Sequence, residues 1–321
     1  MGLYETTVLV WEENATQFEK RILEWVERIE KCSEAIKDTK KTFQKWKPLR
    51  FYTSFSKAKG INPVEFSVRF YGQEVAQLRV YQSGSTKLVI DEDRVKNNSK
   101  YFQFNLKKGM YEWKGKEAAL FRKHFKQLAK NPLEQINTRV KEHRVESVII
   151  AEMEKNSKTK FGGAFSGIQP VTIEGFPFQM PLPISASSGK PFSTDGSIDI
   201  LARRRCSDGK VRLSVWELKK PKTFAKAIDQ VYIYTIGLIQ LLRSSSGQRW
   251  FKIFGFTGSI PKNLEIEAVV VVTRDKKKKM ESTLDSFRKS NPLSFNGDKI
   301  KFSAAYYNEN NYFIESFNEL I

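Results

Sequence analysis

Two strand-like runs that flank a tight turn constrain the fold of this chain more than any other feature. Residues 197–203 and 211–219 have the composition of strands, and residues 207–209 between them are Ser-Asp-Gly. Glycine at the end of a three-residue loop is typical of a hairpin, because that position requires a positive φ angle. The segment is therefore predicted to be a β-hairpin in which Cys206 faces Lys210.

Counting outward from this turn in antiparallel register places two acids opposite each other. Asp199 on the first strand is predicted to face Glu217 on the second. Because side chains alternate along a strand, Lys219 is predicted to share the face of Glu217. Trp216 and Leu218 are predicted to point to the other face, into the core. A register shift of one residue would move Asp199 to the wrong face.

Opposed carboxylates in an apolar hairpin repel each other and lose hydration, which calls for a compensating charge. Mg²⁺ supplies this charge, since the ion prefers a few carboxylate oxygens together with waters and substrate phosphate oxygens. Lys219 is then placed to orient a water and to stabilise the negative charge that grows on an attacked phosphate. The alternative is a plain ion pair between Glu217 and Lys219 at the margin of a sheet.

The charge of the chain indicates a class of partner. Its 55 lysine and arginine residues against 36 acidic residues give a formal net charge of +19, a field that concentrates polyanions at the surface. Nucleic acid is therefore the expected partner, with DNA preferred over RNA. A solvated basic surface without a ligand is the alternative, and an anionic membrane is the least favoured partner.

Residue counts disfavour several other classes of protein. The two cysteines, Cys32 and Cys206, give neither a disulfide framework nor a zinc-binding spacing, which favours a cytoplasmic or otherwise intracellular location. The two histidines, His124 and His143, are too few for a histidine metal cage or a Ser-His-Asp triad. We expect no membrane association, because no apolar run reaches spanning length and the N-terminus is too acidic for a signal peptide.

The first part of the chain is predicted to be an α+β domain, residues 1–130, with one long helix over an antiparallel meander. Apolar residues at helical spacing predict a helix over residues 16–46, which packs on its own sheet or, alternatively, on a second copy of the chain in a homodimer. A further helix is predicted over residues 116–129. Strands are predicted at residues 49–55, 64–70, 76–80, 88–90 and 101–106. We expect this domain to serve recognition or dimerisation.

The second predicted domain covers residues 131–321 and contains the hairpin. A helix is predicted over residues 132–154, after the break at Asn131-Pro132. Asp199, followed eighteen positions later by Glu217-Leu218-Lys219, resembles the motif of the PD-(D/E)xK nuclease superfamily. The spacing of Gln230 and Tyr234 in the next predicted helix is similar to the QxxxY element of RecB-like members. The resemblance covers about residues 132–275 and departs from the motif at Ile198, where proline is usual.

The resemblance implies an α/β restriction-endonuclease-like domain with a mixed central sheet flanked by helices. It implies metal-dependent hydrolysis of phosphodiesters with Mg²⁺ or Mn²⁺, in which Asp199, Glu217 and the Leu218 carbonyl bind the metal. Lys219 would assist the nucleophilic water, and Gln230 would position that lysine or the substrate. An acid from the preceding helix is also implied, for which the candidates are Glu146 first and Glu152 second. Asp195 is a rival to Asp199 but has the context of a turn residue.

Basic residues near the hairpin are predicted to bind the nucleic-acid backbone. They are Arg203, Arg204, Arg205, Lys220, Lys222 and Lys226. The lysine run at residues 276–279 is either part of the same track or, as the favoured interpretation, a solvated loop. The sequence thus predicts a deoxyribonuclease, an endonuclease in the first instance, with a RecB-like exonuclease and a non-catalytic nucleic-acid-binding protein as alternatives.

Overall fold

The chain is described by a computed structural model. It describes all residues except 44–46, 54, 56–62, 93–101, 105, 132–140, 157–164, 187, 219–223, 311–312 and 321. The chain divides into two compact units, which we name the meander unit (21–147 and 174–177) and the hairpin unit (1–20, 148–173 and 178–321). The predicted division between residues 130 and 131 stays a prediction, since residues 132–140 lie outside the described residues.

The chain begins with two successive helices, α1 (Leu3–Lys31) and α2 (Ser33–Phe43). The predicted single helix over residues 16–46 thus starts earlier and is interrupted at Cys32, while residues 44–46 lie outside the described part of the chain. The Cys32 N–H is shared between the carbonyls of Arg28 and Ile29, both at 3.1 Å, as is common where a helix ends. Buried residues of the apolar seam are Phe18, Ile22, Trp25, Ile29, Cys32 and Ile36. The seam is therefore covered by the chain itself, and a homodimer stays a prediction.

The meander unit contains a five-stranded antiparallel sheet with neighbouring strands in chain order. Its strands are β1 (Arg50–Thr53), β2 (Val64–Phe70), β3 (Gln73–Val80), β4 (Thr86–Ile90) and β5 (Gly109–Glu112), followed by α3 (Lys116–Leu128). The β2–β3 turn requires Gly72, whose φ is 81° and whose hypothetical Cβ would lie 1.8 Å from the His143 carbonyl oxygen.

The predicted strand over residues 101–106 is wrong for the described residues of that segment, which form no strand. The rings of Phe102 and Phe104 instead pack on Phe125 of α3, with centroids 5.8 and 5.5 Å from it. Phe102 also packs on Phe70 of β2 at 5.4 Å, so these rings fill the space between the helix and the sheet and do not form a strand. The strand that pairs with β4 is formed instead by residues 109–112, as β5.

The remaining elements begin with α4 (Lys141–Asn156), which spans the boundary between the units at residue 147. Short strands follow: β6 (Ile168–Pro170), β7 (Thr172–Ile173), β8 (Phe176–Pro177), β9 (Pro181–Leu182) and β10 (Gly196–Ser197). The predicted hairpin is β11 (Ile200–Arg205) and β12 (Val211–Leu218). After it come α5 (Phe224–Arg243), α6 (Gly247–Ile253), β13 (Glu265–Thr273), α7 (Lys277–Ser290), β14 (Ser294–Phe295), β15 (Asp298–Tyr307) and β16 (Ile314–Glu319).

A mixed sheet forms the centre of the hairpin unit, with strand order β14-β15-β13-β12-β11-β6 and with β16 also paired to β15. Strands β12, β13 and β15 are parallel, while β11 is antiparallel to both β12 and β6. Helix α5 packs against β12 and β13. The predicted combination of a long N-terminal helix, an antiparallel sheet and a mixed sheet with helices is confirmed.

The lysine run at 276–279 is not the solvated loop favoured by the sequence. Lys276 ends a 3₁₀ turn (Arg274–Lys276), and Lys277 begins α7. Met280 and Leu284, one helical turn apart, are buried, and their packing orders the segment that carries the lysines. Among the described residues, no helix combines the length and apolar character needed to cross a bilayer.

Candidate active site

The hairpin has the register predicted from its turn. Arg205 pairs with Val211 and Ile200 pairs with Trp216, and the Cys206 N–H donates to the Lys210 carbonyl oxygen at 2.8 Å. Asp199 immediately precedes β11, and the same register continued by one residue places it opposite Glu217. The extended register therefore puts two acids, eighteen positions apart in sequence, at facing positions at the end of the hairpin.

The two acids differ in burial. The Glu217 side chain is fully buried, whereas Asp199 is partly exposed. The Asp199 Oδ2 atom accepts a hydrogen bond from the Leu218 backbone N–H at 3.0 Å. This bond directs the aspartate towards the end of β12.

Helix α5 places two polar side chains beside this pair. Burial raises the pKa of the Tyr234 hydroxyl, and the negative charge of Glu217 and, more weakly, of Asp199 raises it further. Both carboxylates therefore act on one phenol. The hydroxyl accepts hydrogen bonds from the Ala186 N–H at 3.4 Å and from Gln230 Nε2 at 3.5 Å.

Gln230 and Gly196 complete the wall around Tyr234. The Oε1 atom of Gln230 is buried and has no hydrogen-bond partner among the described residues, so this amide offers an acceptor towards the site. A Cβ atom at Gly196 would lie 3.0 Å from the Tyr234 hydroxyl oxygen and 2.2 Å from the Ile184 carbonyl oxygen. The close approach of this backbone to the site thus depends on glycine.

The opposite face of β12 is aromatic and polar, as the alternation along the strand predicts for Trp216. The Trp216 ring packs against Phe165 and Phe317, with centroids 6.3 and 5.5 Å away. Ser214 on the same face donates to the Glu267 carboxylate at 3.0 Å. The two faces of one strand therefore have different surroundings, which separates Glu217 from this aromatic core.

The acids proposed from the preceding helix lie in different units. Glu146 belongs to the meander unit, where it is buried and its Oε1 atom lies 3.2 Å from Arg69 Nη1. Glu152 belongs to the hairpin unit, with its Oε1 atom 4.0 Å from Lys155 Nζ. Glu146 is thus paired with a residue of the meander unit, and Glu152 is the one that shares a compact unit with Asp199. The role of either acid stays a prediction. The rival Asp195 is exposed.

The basic residues predicted to bind nucleic acid fall into two groups. Arg203 donates to the Gly255 carbonyl at 2.7 Å and to Gln169 at 3.2 Å, and Arg204 pairs with Glu267 and Glu319. Both guanidinium groups therefore bind acceptors within the same chain. Arg205 and Lys226 are exposed, whereas Lys220 and Lys222 lie outside the described residues, as does the predicted catalytic Lys219.

The donor set suits a cation that keeps part of its water shell. In the part of the chain that the structure describes, no group of three or more His, Cys, Asp or Glu side chains is arranged to hold a metal ion. Asp199 and Glu217 supply carboxylate oxygens only, and Mg²⁺ is commonly bound by one or two carboxylates with waters and phosphate oxygens. The opposed acids therefore fit Mg²⁺ or Mn²⁺ better than a metal that requires a closed set of protein ligands.

Asp229 is a feature that the sequence interpretation missed. Burial raises the pKa of its carboxyl group to about 6, and a Cβ atom at Gly189 would lie 3.1 Å from its Oδ2 atom. The signal was present, because Asp229 is the single acid in the 20 residues of α5 and directly precedes Gln230. A partly buried acid of this kind is a common feature of functional sites.

Comparisons with known proteins add no assignment. No family model, no curated protein and no solved structure matches this chain.

Proposed function

We propose that this protein is a metal-dependent nuclease that hydrolyses phosphodiester bonds of DNA, acting as an endonuclease. The observation that carries the proposal is the register of the hairpin, which sets Asp199 opposite a fully buried Glu217. The mixed sheet with α4 before the hairpin and α5 after it supports the resemblance to the PD-(D/E)xK nuclease superfamily. The net charge of +19 supports a polyanionic substrate.

In this proposal Asp199, Glu217 and the Leu218 carbonyl hold the metal ion. The ion, when bound, would supply Lewis-acid polarisation of the phosphate and a more acidic water. The chain's own groups then have separate tasks. The Leu218 N–H fixes the orientation of Asp199, and Lys219 stabilises the charge that develops on the phosphate.

Gln230 and Tyr234 hold the wall of the site in this proposal. The hydrogen bonds from Gln230 and from the Ala186 N–H fix the position of the Tyr234 hydroxyl beside the two carboxylates. The free acceptor of Gln230 remains directed into a buried environment, where a bound water, a substrate group or a neighbouring ammonium can donate to it.

The test is a cleavage assay on supercoiled plasmid with Mg²⁺ or Mn²⁺, comparing wild type with Asp199→Asn and Lys219→Ala. We expect each variant to lose about a hundredfold or more in rate, because each removes a group that acts in the transition state. Asp195→Asn is the matched control, since it removes an exposed acid four residues away and should retain activity. Equal rates for Asp199→Asn and Asp195→Asn would refute the site.

A second readout does not depend on turnover. Mn²⁺ titrated into the wild-type protein, measured by isothermal calorimetry, should show binding that Asp199→Asn weakens and Asp195→Asn leaves unchanged. Loss of a carboxylate ligand lowers the affinity of a hard cation directly. The same titration performed on Lys219→Ala should retain Mn²⁺ binding, because an ammonium group is not a ligand.

The substrate form separates the two nuclease alternatives. An endonuclease converts closed circular DNA to nicked and linear products, whereas an exonuclease degrades only linear DNA. Degradation restricted to linear DNA would favour the RecB-like alternative.

A non-catalytic nucleic-acid-binding protein is the second candidate, favoured by the charge of +19 alone. It gains support if the protein binds DNA and leaves both circular and linear forms intact with either metal.

A further inference from the structure

Helix α3 in the meander unit has one apolar face and one basic face. Ala118, Phe121 and Phe125 are buried and form the apolar face. The residues on the opposite side of the helix are exposed; they are Lys116, Leu120, Lys123, Lys126 and Gln127, with Lys130 just beyond its end. Lys116 and Lys123 lie seven residues apart, two turns of helix or about 10 Å along the axis.

Among the described residues, this face lacks compensating acids. Residues 107–130 include eight lysine and arginine residues and two glutamates, and one of these, Glu112, pairs with Lys87. The other, Glu117, lies about 100° around the helix axis from Lys116. Within the described residues, Lys116, Lys123, Lys126 and Lys130 take part in no ion pair.

Helix α2 in the same unit shows what a neutralised lysine face is like. Lys37 pairs with Glu34 and Lys41 pairs with Asp38, each at 2.7 Å and each one turn away. Both helices are amphipathic and lysine-rich, yet only α2 carries an acid for each of these two lysines. The positive potential of the α3 face is therefore a property of the arrangement and not of lysine content alone.

We propose that the α3 lysine face, formed by Lys116, Lys123, Lys126 and Lys130, binds the phosphodiester backbone of nucleic acid. Rows of unpaired ammonium groups on a rigid helix suit phosphate contacts, which need charge and carry no sequence information. The meander unit is then a second nucleic-acid contact, outside the hairpin unit. This inference deepens the proposed function but does not require catalysis.

The arrangement favours nucleic acid over an anionic membrane. A helix that binds a membrane surface inserts its apolar face into the lipid, but the apolar face of α3 is buried within the protein. Leu120, which is 56% exposed, is the large apolar side chain that remains on the basic face. One such side chain contributes little to lipid binding in comparison with the charges around it.

The test compares two charge-matched double variants of the full-length protein, Lys116→Gln/Lys123→Gln on α3 and Lys37→Gln/Lys41→Gln on α2. Glutamine keeps the helix propensity and removes the charge. Affinity for a fluorescein-labelled DNA duplex of arbitrary sequence is measured by anisotropy over a series of salt concentrations, with EDTA present so that no cleavage occurs. Circular dichroism checks that each variant is folded.

We expect the α3 variant to bind at least about tenfold more weakly at 50 mM salt and to flatten the plot of log K against log salt by roughly two units, because two phosphate contacts are lost. The α2 variant should match wild type, and Lys116→Arg/Lys123→Arg should retain the wild-type slope. An unchanged slope in the folded α3 variant, or equal losses in both glutamine variants, would overturn the proposal. So would lysine-dependent binding to phosphatidylserine vesicles with duplex binding intact.

The outcome is separable from that of the nuclease proposal. A protein that binds through α3 but does not cleave removes the nuclease assignment alone. A protein that cleaves and whose α3 variant keeps the wild-type salt slope removes the α3 assignment alone.

Discussion

The two faces of the mixed sheet in the hairpin unit each bury a glutamate, and the two glutamates have opposite kinds of neighbour. Glu267 on β13 is 2% exposed and is bound by Arg204 and by the hydroxyls of Ser214 and Ser303. Glu217 on β12 is fully buried, and the residue opposite it across the hairpin is another acid, Asp199. Two glutamates of equal burial therefore have different surroundings, and the proposed function assigns a metal-binding role to Glu217 alone.

The difference lies in where the compensating charge comes from. Removing a carboxylate from water costs several kcal/mol, and at Glu267 an arginine and two hydroxyl groups in the same chain offset that cost. At the hairpin end a second acid faces Glu217, and under the proposed function a bound cation would offset part of the cost there. The charge of the residue that faces a buried acid is thus worth testing beside its burial.

The comparison is tested most strongly by Glu217→Gln. Under the proposed function this variant loses a metal ligand and should cleave plasmid DNA at least about a thousandfold more slowly than wild type. Its free energy of unfolding should fall less than that of Glu267→Gln, because the change also removes one of two opposed negative charges. Chemical denaturation and the cleavage assay on the same preparation provide both readouts. A large loss of stability would show that Glu217 has a structural role like that of Glu267.

Glu267→Gln is expected to lower the stability of the fold and to leave the cleavage rate unchanged. Removal of one partner of a buried ion pair leaves the Arg204 guanidinium without its buried counter-charge, which costs about 3 kcal/mol of unfolding free energy. Cleavage per folded molecule should be close to that of wild type, measured at a temperature where the variant is folded.

The matched control for this variant is Glu265→Gln on the same strand. Both arginines keep a second carboxylate partner, Asp208 for Arg212 and Glu319 for Arg204, but the Glu265 side chain is 23% exposed and that of Glu267 only 2%. We expect a loss of less than about 1 kcal/mol there. Equal losses at both positions would mean that burial does not control the strength of these ion pairs.

The sequence was sufficient to predict the hairpin that carries the candidate site, because local rules dominate there. The Ser-Asp-Gly turn determines the register of the hairpin, and alternation along the strand then assigns Glu217 and Trp216 to opposite faces. These features depend on contacts between residues fewer than twenty positions apart. The helix α3 and the β2–β3 hairpin follow from periodicity in the same way.

Long-range contacts explain what the sequence did not show. Arg204 has the sequence context of a phosphate ligand, but its charge is used by Glu267, 63 residues away, which no local pattern reveals. Glu146 lies on a helix that precedes the hairpin, as predicted. It also forms an ion pair with Arg69, 77 residues away, which its local pattern did not indicate. Residues 101–106 were predicted as a strand, but Phe102 and Phe104 pack on α3 instead. In each case tertiary contacts decided the role of a residue whose local pattern was ambiguous.

Asp229 is an acid of intermediate burial, and of the changes considered its replacement is expected to alter the unfolding free energy among the least. Its pKa is raised to about 6 from the ordinary value of 3.8, so the folded protein holds the proton more tightly than the unfolded chain between these values. The stabilisation is therefore present below pH 4 and is lost as the pH rises through 6. Partial exposure limits the effect to about 1 kcal/mol.

Asp229→Asn should remove this pH dependence and raise the unfolding free energy at pH 7 by that amount. Urea denaturation of wild type and variant at pH 4, 5, 6 and 7 measures both quantities. If the difference between the two proteins is the same at all four pH values, the carboxyl group titrates normally and Asp229 is only a surface acid. A difference that grows from pH 4 to pH 7 confirms that burial raises the pKa of Asp229, in contrast to Glu267, whose burial is offset by Arg204 and two hydroxyl groups.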